Sequence, residues 1–357
     1  MQILKLNNRI LQPLFLILCG LSVIVLLSAC DKAAEPKPQT YPYNAVGMSM
    51  GTSYNIKATK LPDSLTPEEI NRQVKAVLDK VNSQMSTYQN DSELSLFNQN
   101  SSTDWVNISQ ELFKVIKEAI KISQLSNGLF DVTVGPLVNL WGFGPQEMSL
   151  SPPDEAAIKV KLNQIGFQRL KLKDDGLSVR KDIPELYVDL SGIAKGYGVD
   201  QVAELLEHLG IMDYMVEIGG EIRVKGKNNQ GQPWQIAVEK PTIEKRMIEK
   251  ILSITDTGMA TSGDYRNYFE VEGVRFSHTI DPRTGRPINH KLASVTVLSE
   301  TSMEADALAT AFMVMGPDEG FRFAELNHIP VFFIIKSDQG FDEKMSTAFI
   351  ESTKVTK

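Results

Sequence analysis

Cysteine is nearly absent from this sequence of 357 residues, which contains only Cys19 and Cys30. Two cysteines exclude a disulfide-stapled scaffold and a four-cysteine zinc site. Excess positive charge is also missing, since the net charge is −7, and this argues against nucleic acid as a partner. The sequence has no G-x-x-x-x-G-K-[ST] motif and no fixed-period repeat, which excludes a Walker A loop and a solenoid.

The N-terminus has the pattern of a bacterial lipoprotein signal. Lys5 and Arg9 precede an apolar stretch, Leu14 to Leu27, that is shorter than the roughly 20 residues a membrane span requires. The stretch ends in Leu27-Ser28-Ala29-Cys30, which resembles a lipobox. We therefore expect residues 1–29 to be removed as a signal peptide and Cys30 to be lipidated. The alternative is an uncleaved membrane helix.

Cleavage at Cys30 predicts a tethered protein with one folded domain. Residues 30–42 are rich in proline, alanine and charge, which is typical of an extended tether. Asp31 resembles the signal that keeps lipoproteins in the inner membrane, so the expected location is the periplasmic face of that membrane. Residues 43–357 contain no further linker and are predicted to form a single, two-lobed domain.

Helix and strand signals in residues 43–357 predict an α+β fold. Capping boxes at Thr66 and Thr301 open two helices, a third helix runs from Ser109, and a fourth follows Gly192. Most strand-like runs come later in the chain than the first helices, which favours α+β over a regularly wound parallel sheet. The predicted strands are Leu186–Val188, Tyr214–Ile218, Trp234–Val238, Ile251–Thr255, Phe276–Ile280, Ala293–Leu298 and Val331–Ile335.

The segment Asp189 to Gly198, with the sequence DLSGIAKGYG, is a candidate cradle for a pyrophosphate. Its three glycines allow a ligand to approach the backbone, and the start of the following helix offers free N–H groups to an anion. Lys195 adds a positive charge. The alternative is a glycine-rich helix entry with a surface lysine.

A second segment, Glu304 to Thr310, suggests a site for a hard metal ion. Asp306 and Thr310 are four residues apart and share one helical face, and both side chains supply the oxygen ligands that magnesium or calcium prefers. The alternative is a packed helix in which Asp306 interacts with the helix N-terminus and Thr310 bonds back to a backbone carbonyl.

The segment Ser277 to Pro287 contains His278 beside a turn rich in proline and glycine, where catalytic side chains are often displayed. This histidine is a candidate base or phosphate ligand, although a lone histidine is more often structural. Just before it, residues 257 to 265 are predicted to form a loop of small residues able to contact a ligand.

These segments together resemble the ApbE family of FAD:protein FMN transferases across nearly all of residues 43–357. Each block is weak alone, but their order along the chain is specific. The matching blocks also include Met48-Ser49-Met50-Gly51-Thr52, Met85-Ser86-Thr87-Tyr88, Ser92-Glu93-Leu94, Asn127 to Leu137 and Trp141-Gly142-Phe143.

The resemblance implies a site in which FAD lies between two lobes of one α+β domain. The family's magnesium position corresponds to the carbonyl of Gly192 with the side chains of Asp306 and Thr310. Met50 and Tyr88 would pack on the flavin or adenine. The positions that match the family's FAD contacts are Met50, Tyr88, Leu129, Phe130, Asp131, Asp189 and Lys195, and His278 is added as a candidate contact.

The family's reaction moves FMN from FAD to a threonine hydroxyl of another protein and releases AMP. His278 is the first candidate for the base that takes the threonine proton, and Asp306 is the second. The resemblance implies acceptors with a Ser/Thr-Gly-Ala-Thr-like stretch, found in periplasm-facing flavoprotein subunits of sodium-pumping NADH:quinone oxidoreductases and Rnf-type complexes.

Two rival functions use the same pocket. One is an FAD-binding lipoprotein that performs no chemistry, and the other is a metal-dependent hydrolase that splits FAD into FMN and AMP. Loss of Asp306 should spare the binder and disable both catalysts, whereas only the transferase requires an acceptor protein.

Overall fold

The computed structural model describes residues 41–145, 151–241, 247–264, 268–271 and 274–353. The predicted signal peptide, Cys30 and residues 31–40 of the tether lie outside the described residues, as does Tyr265 at the end of the predicted small-residue loop. The described residues belong to one compact unit that begins at Tyr41. Among them, no helix is both long enough and apolar enough to cross a membrane.

The described part of the chain mixes helices with strands, in agreement with the predicted α+β class. The helices are α1 (Pro67–Met85), α2 (Glu93–Gln99), α3 (Gln110–Leu125), α4 (Gly135–Leu140), α5 (Glu155–Leu162), α6 (Ala194–His208), α7 (Ser302–Leu326) and α8 (Thr347–Ser352), with a 3₁₀ turn at Phe167–Arg169. The strands are β1 (Tyr43–Ser49), β2 (Thr52–Ala58), β3 (Val106–Asn107), β4 (Leu170–Lys173), β5 (Ser178–Lys181), β6 (Tyr214–Ile218), β7 (Glu221–Lys225), β8 (Trp234–Glu239), β9 (Ile248–Ile254), β10 (Thr257–Gly263), β11 (Tyr268–Val271), β12 (Val274–Ser277), β13 (Ile280–Asp281), β14 (Arg286–Pro287), β15 (Leu292–Ser299), β16 (Val331–Ser337) and β17 (Gly340–Met345).

The main sheet separates two apolar cores. Its order is β1-β2-β6-β7-β10-β15-β16-β17, and every neighbouring pair is antiparallel. Side chains alternate between its faces, as strand geometry requires. On β16, for example, Val331 and Phe333 join the core under α7, whereas Phe332 and Ile334 join the core under the β8–β9 ribbon. Helix α6 packs on β6 and β7, and α7 packs on β10 and β15.

The predicted helix boundaries are confirmed at their caps. The side chains of Thr66, Ser109 and Thr301 each accept a hydrogen bond from a backbone N–H in the first turn of the helix that follows. Helix α7 is longer than the alanine-rich segment suggested, because it continues through a kink at Gly316, where φ is 76°. Pro317 cannot donate to the carbonyl of Met313, and the His290 imidazole takes that place, with Nε2 at 2.7 Å from the carbonyl oxygen.

Three local predictions were wrong. Thr257–Gly263 is the inner strand β10, and its small residues leave room for a helix: a Cβ on Gly258 would lie 2.4 Å from the backbone nitrogen of Ser302. Leu186–Val188 is not a strand, because the Asn98 side chain bonds both the N–H and the carbonyl of Val188. The run Phe276–Ile280 is divided, since β12 ends at Ser277 and β13 begins at Ile280.

Candidate functional site

The candidate site lies where the first turns of α6 and α7 cross. The backbone N–H of Gly196 on α6 donates a 3.0 Å hydrogen bond to Oδ2 of Asp306 on α7. The helices can approach this closely because residue 196 has no side chain: a Cβ there would lie 2.3 Å from the carbonyl oxygen of Ser302. The second glycine of the predicted cradle therefore serves helix packing and brings Asp306 to the start of α6.

Asp200 fixes the position of α7. Its carboxylate on α6 accepts hydrogen bonds from the N–H groups of Ser302 (3.0 Å) and Met303 (2.9 Å), which belong to the first turn of α7. Arg223 on β7 donates to the same carboxylate at 3.0 Å. A buried anion at a helix N-terminus satisfies N–H groups that have no partner within the helix. Asp200 was not among the predicted site residues, because its partners on α7 are about a hundred positions away in the sequence.

The predicted metal ligands come together. A Cβ on Gly192 would lie 3.0 Å from Oγ1 of Thr310 and 3.3 Å from the ring of Phe130, so the backbone at Gly192 faces the Asp306 side of α7. Asp306 is 2 % exposed, and burial raises its pKa although Lys195 and the Gly196 N–H lower it. No cluster of three or more His, Cys, Asp or Glu side chains suited to a metal occurs within the described ranges. A hard cation here would therefore depend on one carboxylate, a hydroxyl and a carbonyl.

Lys195 is held between two buried carboxylates. Its Nζ lies 2.6 Å from Oε1 of Glu221 and 3.8 Å from Oδ1 of Asp306. Burial alone lowers the pKa of Lys195, but the two carboxylates outweigh burial and raise it, so the ammonium stays protonated. Burial raises the pKa of Glu221, while Lys195 opposes that shift.

Glu221 is a further site residue that the sequence analysis missed. It follows Gly219 and Gly220, both with positive φ, in the β6–β7 turn, and its Oε2 is buried without a hydrogen-bond partner in the described structure. A glutamate directly after a Gly-Gly turn between two strands was the available signal. The turn brings the carboxylate to Lys195.

Met50 lies in the β1–β2 turn beside the same cradle. Met50 and Gly51 have φ values of 52° and 73°, and positive φ at both central residues is the mark of a type I′ turn. A left-handed methionine is uncommon and is held here by packing, since a Cβ on Gly198 would lie 2.8 Å from the Met50 sulfur. The third cradle glycine thus makes room for Met50.

Asp131 is bonded within the protein, and its predicted contact with FAD stays a prediction. Its Oδ1 accepts from the N–H and the hydroxyl of Thr133, and its Oδ2 accepts from the N–H of Phe167 at 3.0 Å. Both oxygens are thus used within the protein, and the carboxylate anchors the loop that carries the buried Leu129 and Phe130. Phe130 reaches Gly192, as described above. Asp131 supports the site through these neighbours.

Asp189 is the first residue of the cradle, and Tyr88 is its neighbour. The Asp189 carboxylate accepts hydrogen bonds from the N–H and hydroxyl of Ser191, and its own N–H donates to the Val132 carbonyl at 2.7 Å. Tyr88 is 69 % exposed. Partial burial and then the Asp189 carboxylate raise the pKa of Tyr88, which shows that the two side chains are neighbours. An exposed tyrosine beside the cradle is available to stack on an aromatic ligand.

His278 packs in an aromatic cluster with Phe143 and Phe269. Its ring packs edge-on against Phe143, with centroids 6.4 Å apart, and Phe143 in turn contacts Phe269. This cluster covers α4 and α5. The contacts of His278 described here are aromatic packing, and its role as a base stays a prediction.

A depression of about 740 Å³ lies on the opposite side of α7 from the candidate site. Glu304 and Leu308 line it, whereas Asp306 and Thr310 face α6. Its polar lining carries none of the groups that converge at Lys195. The α6–α7 crossing is therefore the candidate site, because convergent charged groups identify a site better than open volume does.

Comparison with known proteins gives consistent results. The sequence model of the ApbE family matches residues 50–333. An FAD:protein FMN transferase of Vibrio cholerae is 49 % identical over 332 residues, covering 93 % of this chain and 97 % of the relative, and one of Haemophilus influenzae is 47 % identical, covering 92 % and 94 %. The solved structure of the flavin transferase ApbE from Vibrio cholerae has a TM-score of 0.80 at 48 % identity and covers 86 % of this chain and 98 % of that one.

Proposed function

Since this chain belongs to the ApbE family, we propose that it is an FAD:protein FMN transferase whose reaction takes place at the crossing of α6 and α7. The observation that carries the proposal is the convergence of Gly192, Lys195, Asp306 and Thr310 at that crossing. These four residues combine a fixed positive charge with hard oxygen ligands, which is the chemistry that a pyrophosphate requires.

The reaction is a phosphoryl transfer. The oxygen of an acceptor threonine forms a bond to the FMN-side phosphorus of FAD, and the bond from that phosphorus to the bridging oxygen breaks. AMP leaves with that oxygen and the electron pair, and the threonine proton passes to a base. Positioning and charge stabilisation supply most of the catalysis in such reactions.

We propose magnesium as the ion that completes the site. The donor set fits, because magnesium is commonly held by one or two carboxylates together with substrate phosphates. Gly192, Asp306 and Thr310 would hold the ion, which would neutralise charge developing on the pyrophosphate. Lys195 contributes a second positive charge that its two carboxylate neighbours keep protonated.

The substrate is proposed to lie between two lobes that meet at the cradle. Met50 and Glu221 come from the turns of the β1–β2 and β6–β7 hairpins, whereas Phe130 and Asp189 come from the loops around α4. Tyr88 supplies an exposed ring at the rim. His278 remains the proposed base, because Asp306 already accepts from Gly196 and serves as the proposed metal ligand.

The location and the partners complete the proposal. A lipid at Cys30 would hold the enzyme on the periplasmic face of the inner membrane. Sharing a membrane with the acceptor raises the effective concentration of both without added contacts. Periplasm-facing flavoprotein subunits of sodium-pumping NADH:quinone oxidoreductases or Rnf-type complexes are the proposed acceptors, through a Ser/Thr-Gly-Ala-Thr-like segment.

The test uses purified protein, FAD, magnesium and an acceptor domain with such a segment, and the acceptor is weighed by mass spectrometry. The transferase adds the mass of one FMN, and the gain disappears when the acceptor threonine is replaced by alanine. Free FMN and AMP without a mass gain would support the hydrolase instead, and intact bound FAD would support the binder.

A further inference from the structure

The two edges of the main sheet differ in a way that points to a binding partner. Strand β17, at one edge, has the sequence Gly-Phe-Asp-Glu-Lys-Met, and its three charged residues discourage pairing with another chain. Strand β1, at the other edge, reads Tyr-Asn-Ala-Val-Gly-Met-Ser and has neither charge nor proline. It pairs with β2 in an unbroken register over its full length. Edge strands normally carry a device against strand addition, and within its own sequence and register β1 has no charge, proline or bulge that would serve as one.

The turn between β1 and β2 determines which backbone groups of β1 point away from β2. In a hairpin with a two-residue turn, the residues that flank the turn, Ser49 and Thr52, form a hydrogen-bonded pair. Pairs then alternate, so Asn44, Val46 and Met48 direct their N–H and carbonyl groups away from β2. Among the described strands, β1 has β2 as its neighbour and lies at the sheet edge. The side chains of Val46 and Met48 are 71 % and 75 % exposed.

This edge leads directly to the site. Met48 is two residues before Met50, whose sulfur packs on Gly198 in the cradle. The Asn82 side chain on α1 donates to Ser49 at 3.0 Å and so fixes the end of β1 next to the turn. A strand added to β1 would therefore end beside the residues that surround Lys195.

We propose that β1 binds an extended segment of the acceptor protein as an additional antiparallel or parallel strand, and that this pairing delivers the acceptor hydroxyl to the cradle. The inference rests on the proposed function. Backbone pairing would supply affinity, and the exposed Val46 and Met48 would favour an uncharged segment with small or apolar side chains on the same face. The acceptor is favoured over a second copy of this chain because it alone must bring a hydroxyl to the cradle, beside which β1 ends at the Met50 turn.

The test compares Val46→Pro with Val46→Thr in steady-state flavinylation of the acceptor domain. Proline removes an outward N–H without removing a β1–β2 hydrogen bond, whereas threonine keeps the N–H and favours strands. We expect Val46→Pro to raise KM for the acceptor about tenfold or more, which corresponds to one or more lost backbone contacts. KM for FAD and kcat should change less than about twofold, and Val46→Thr should resemble the wild type.

The double variant Val46→Lys/Met48→Lys is the substitute if Val46→Pro does not fold, and Leu326→Lys, at a position 79 % exposed, is its control. Unchanged KM for the acceptor in the proline and lysine variants would overturn the inference while leaving the transferase intact. An equal rise in KM for the acceptor in Val46→Thr would also overturn the inference, since it indicates that the side chain alone makes the contact.

A dimer of this chain that Val46→Pro dissociates without changing KM would assign the β1 edge to a second copy. Failure of the wild type to transfer FMN would remove the proposed function, and this inference with it.

Discussion

Replacing Asp200 by asparagine should destabilise the fold and weaken magnesium binding at the site, although Asp200 is not a proposed metal ligand. Asp200 accepts hydrogen bonds from Ser302, Met303 and Arg223, and it contacts none of the proposed ligands Gly192, Thr310 or Asp306 through these bonds. Asparagine keeps one oxygen acceptor but turns an amide N–H₂ toward a backbone N–H. One buried N–H then loses its partner, which costs about 1–3 kcal/mol.

The second cost falls on Arg223. It loses the negative charge of its 3.0 Å partner and keeps only the carboxylate of Glu207, at 3.6 Å. A hydrogen bond to a charged group contributes roughly 1.5–3 kcal/mol. Because the two losses share one side chain and are not additive, we expect the free energy of unfolding to fall by about 2–4 kcal/mol. Thermal unfolding should therefore shift downward by roughly 3–6 °C.

The functional effect should appear in the metal response. Asp306 follows Ser302 by one helical turn, so a displaced first turn moves its carboxylate relative to Gly192. We expect the magnesium concentration for half-maximal flavinylation to rise at least about fivefold, in line with the effect of residues that orient metal ligands.

The matched control is Ser346→Ala. Ser346 caps α8, and its hydroxyl accepts from the N–H of Val331 at 2.9 Å, so its loss also destabilises the fold. Ser346 bonds none of the site residues, and the magnesium response of this variant should not change. Equal loss of stability in both variants with an unchanged magnesium response in Asp200→Asn would refute the positioning role.

Gly196→Ala should abolish flavinylation and lower the melting temperature, because its Cβ would meet the Ser302 carbonyl at 2.3 Å; an active, stable variant would contradict the helix crossing. Asn98→Ala should cost about 1–3 kcal/mol in denaturant unfolding, since it strips both backbone partners from Val188 ahead of the cradle; wild-type stability would contradict this role. Burial lowers the pKa of His290 below 6.5, so the wild type should lose stability as pH falls from 6.5 through the folded pKa, and His290→Gln should lose less over that range; identical pH profiles from chemical unfolding would contradict this.

Local signals predicted the parts of the structure that depend on neighbours in sequence. The caps at Thr66, Ser109 and Thr301 belong to this class, because a side chain reaches an N–H three residues away. The local pattern at Asp131, where an aspartate bonds the residue two positions on, could also have been read as a turn. The structural role of Asp131 could therefore have been predicted from the sequence.

The features that could not be predicted from the sequence depend on long-range packing. The small residues of β10 suggested a loop, but Gly258 is small because α7 crosses it. Asp200 and Glu221 acquire partners only when β7, α6 and α7 meet, and no spacing in the sequence reveals that meeting. The cradle glycines were recognised as allowing close approach, yet at Gly196 and Gly198 the approaching groups belong to the protein itself.

The most direct test of the central claim is the flavinylation rate of Asp306→Asn as a function of magnesium, with Asp318→Asn as the control. Asp318 lies on the same helix but is exposed to solvent. We predict that Asp318→Asn follows the wild-type curve and that Asp306→Asn loses at least about a hundredfold in rate at every magnesium concentration, as expected when a metal ligand is removed. A wild-type rate and magnesium response in Asp306→Asn would contradict the assignment of the reaction to the crossing of α6 and α7.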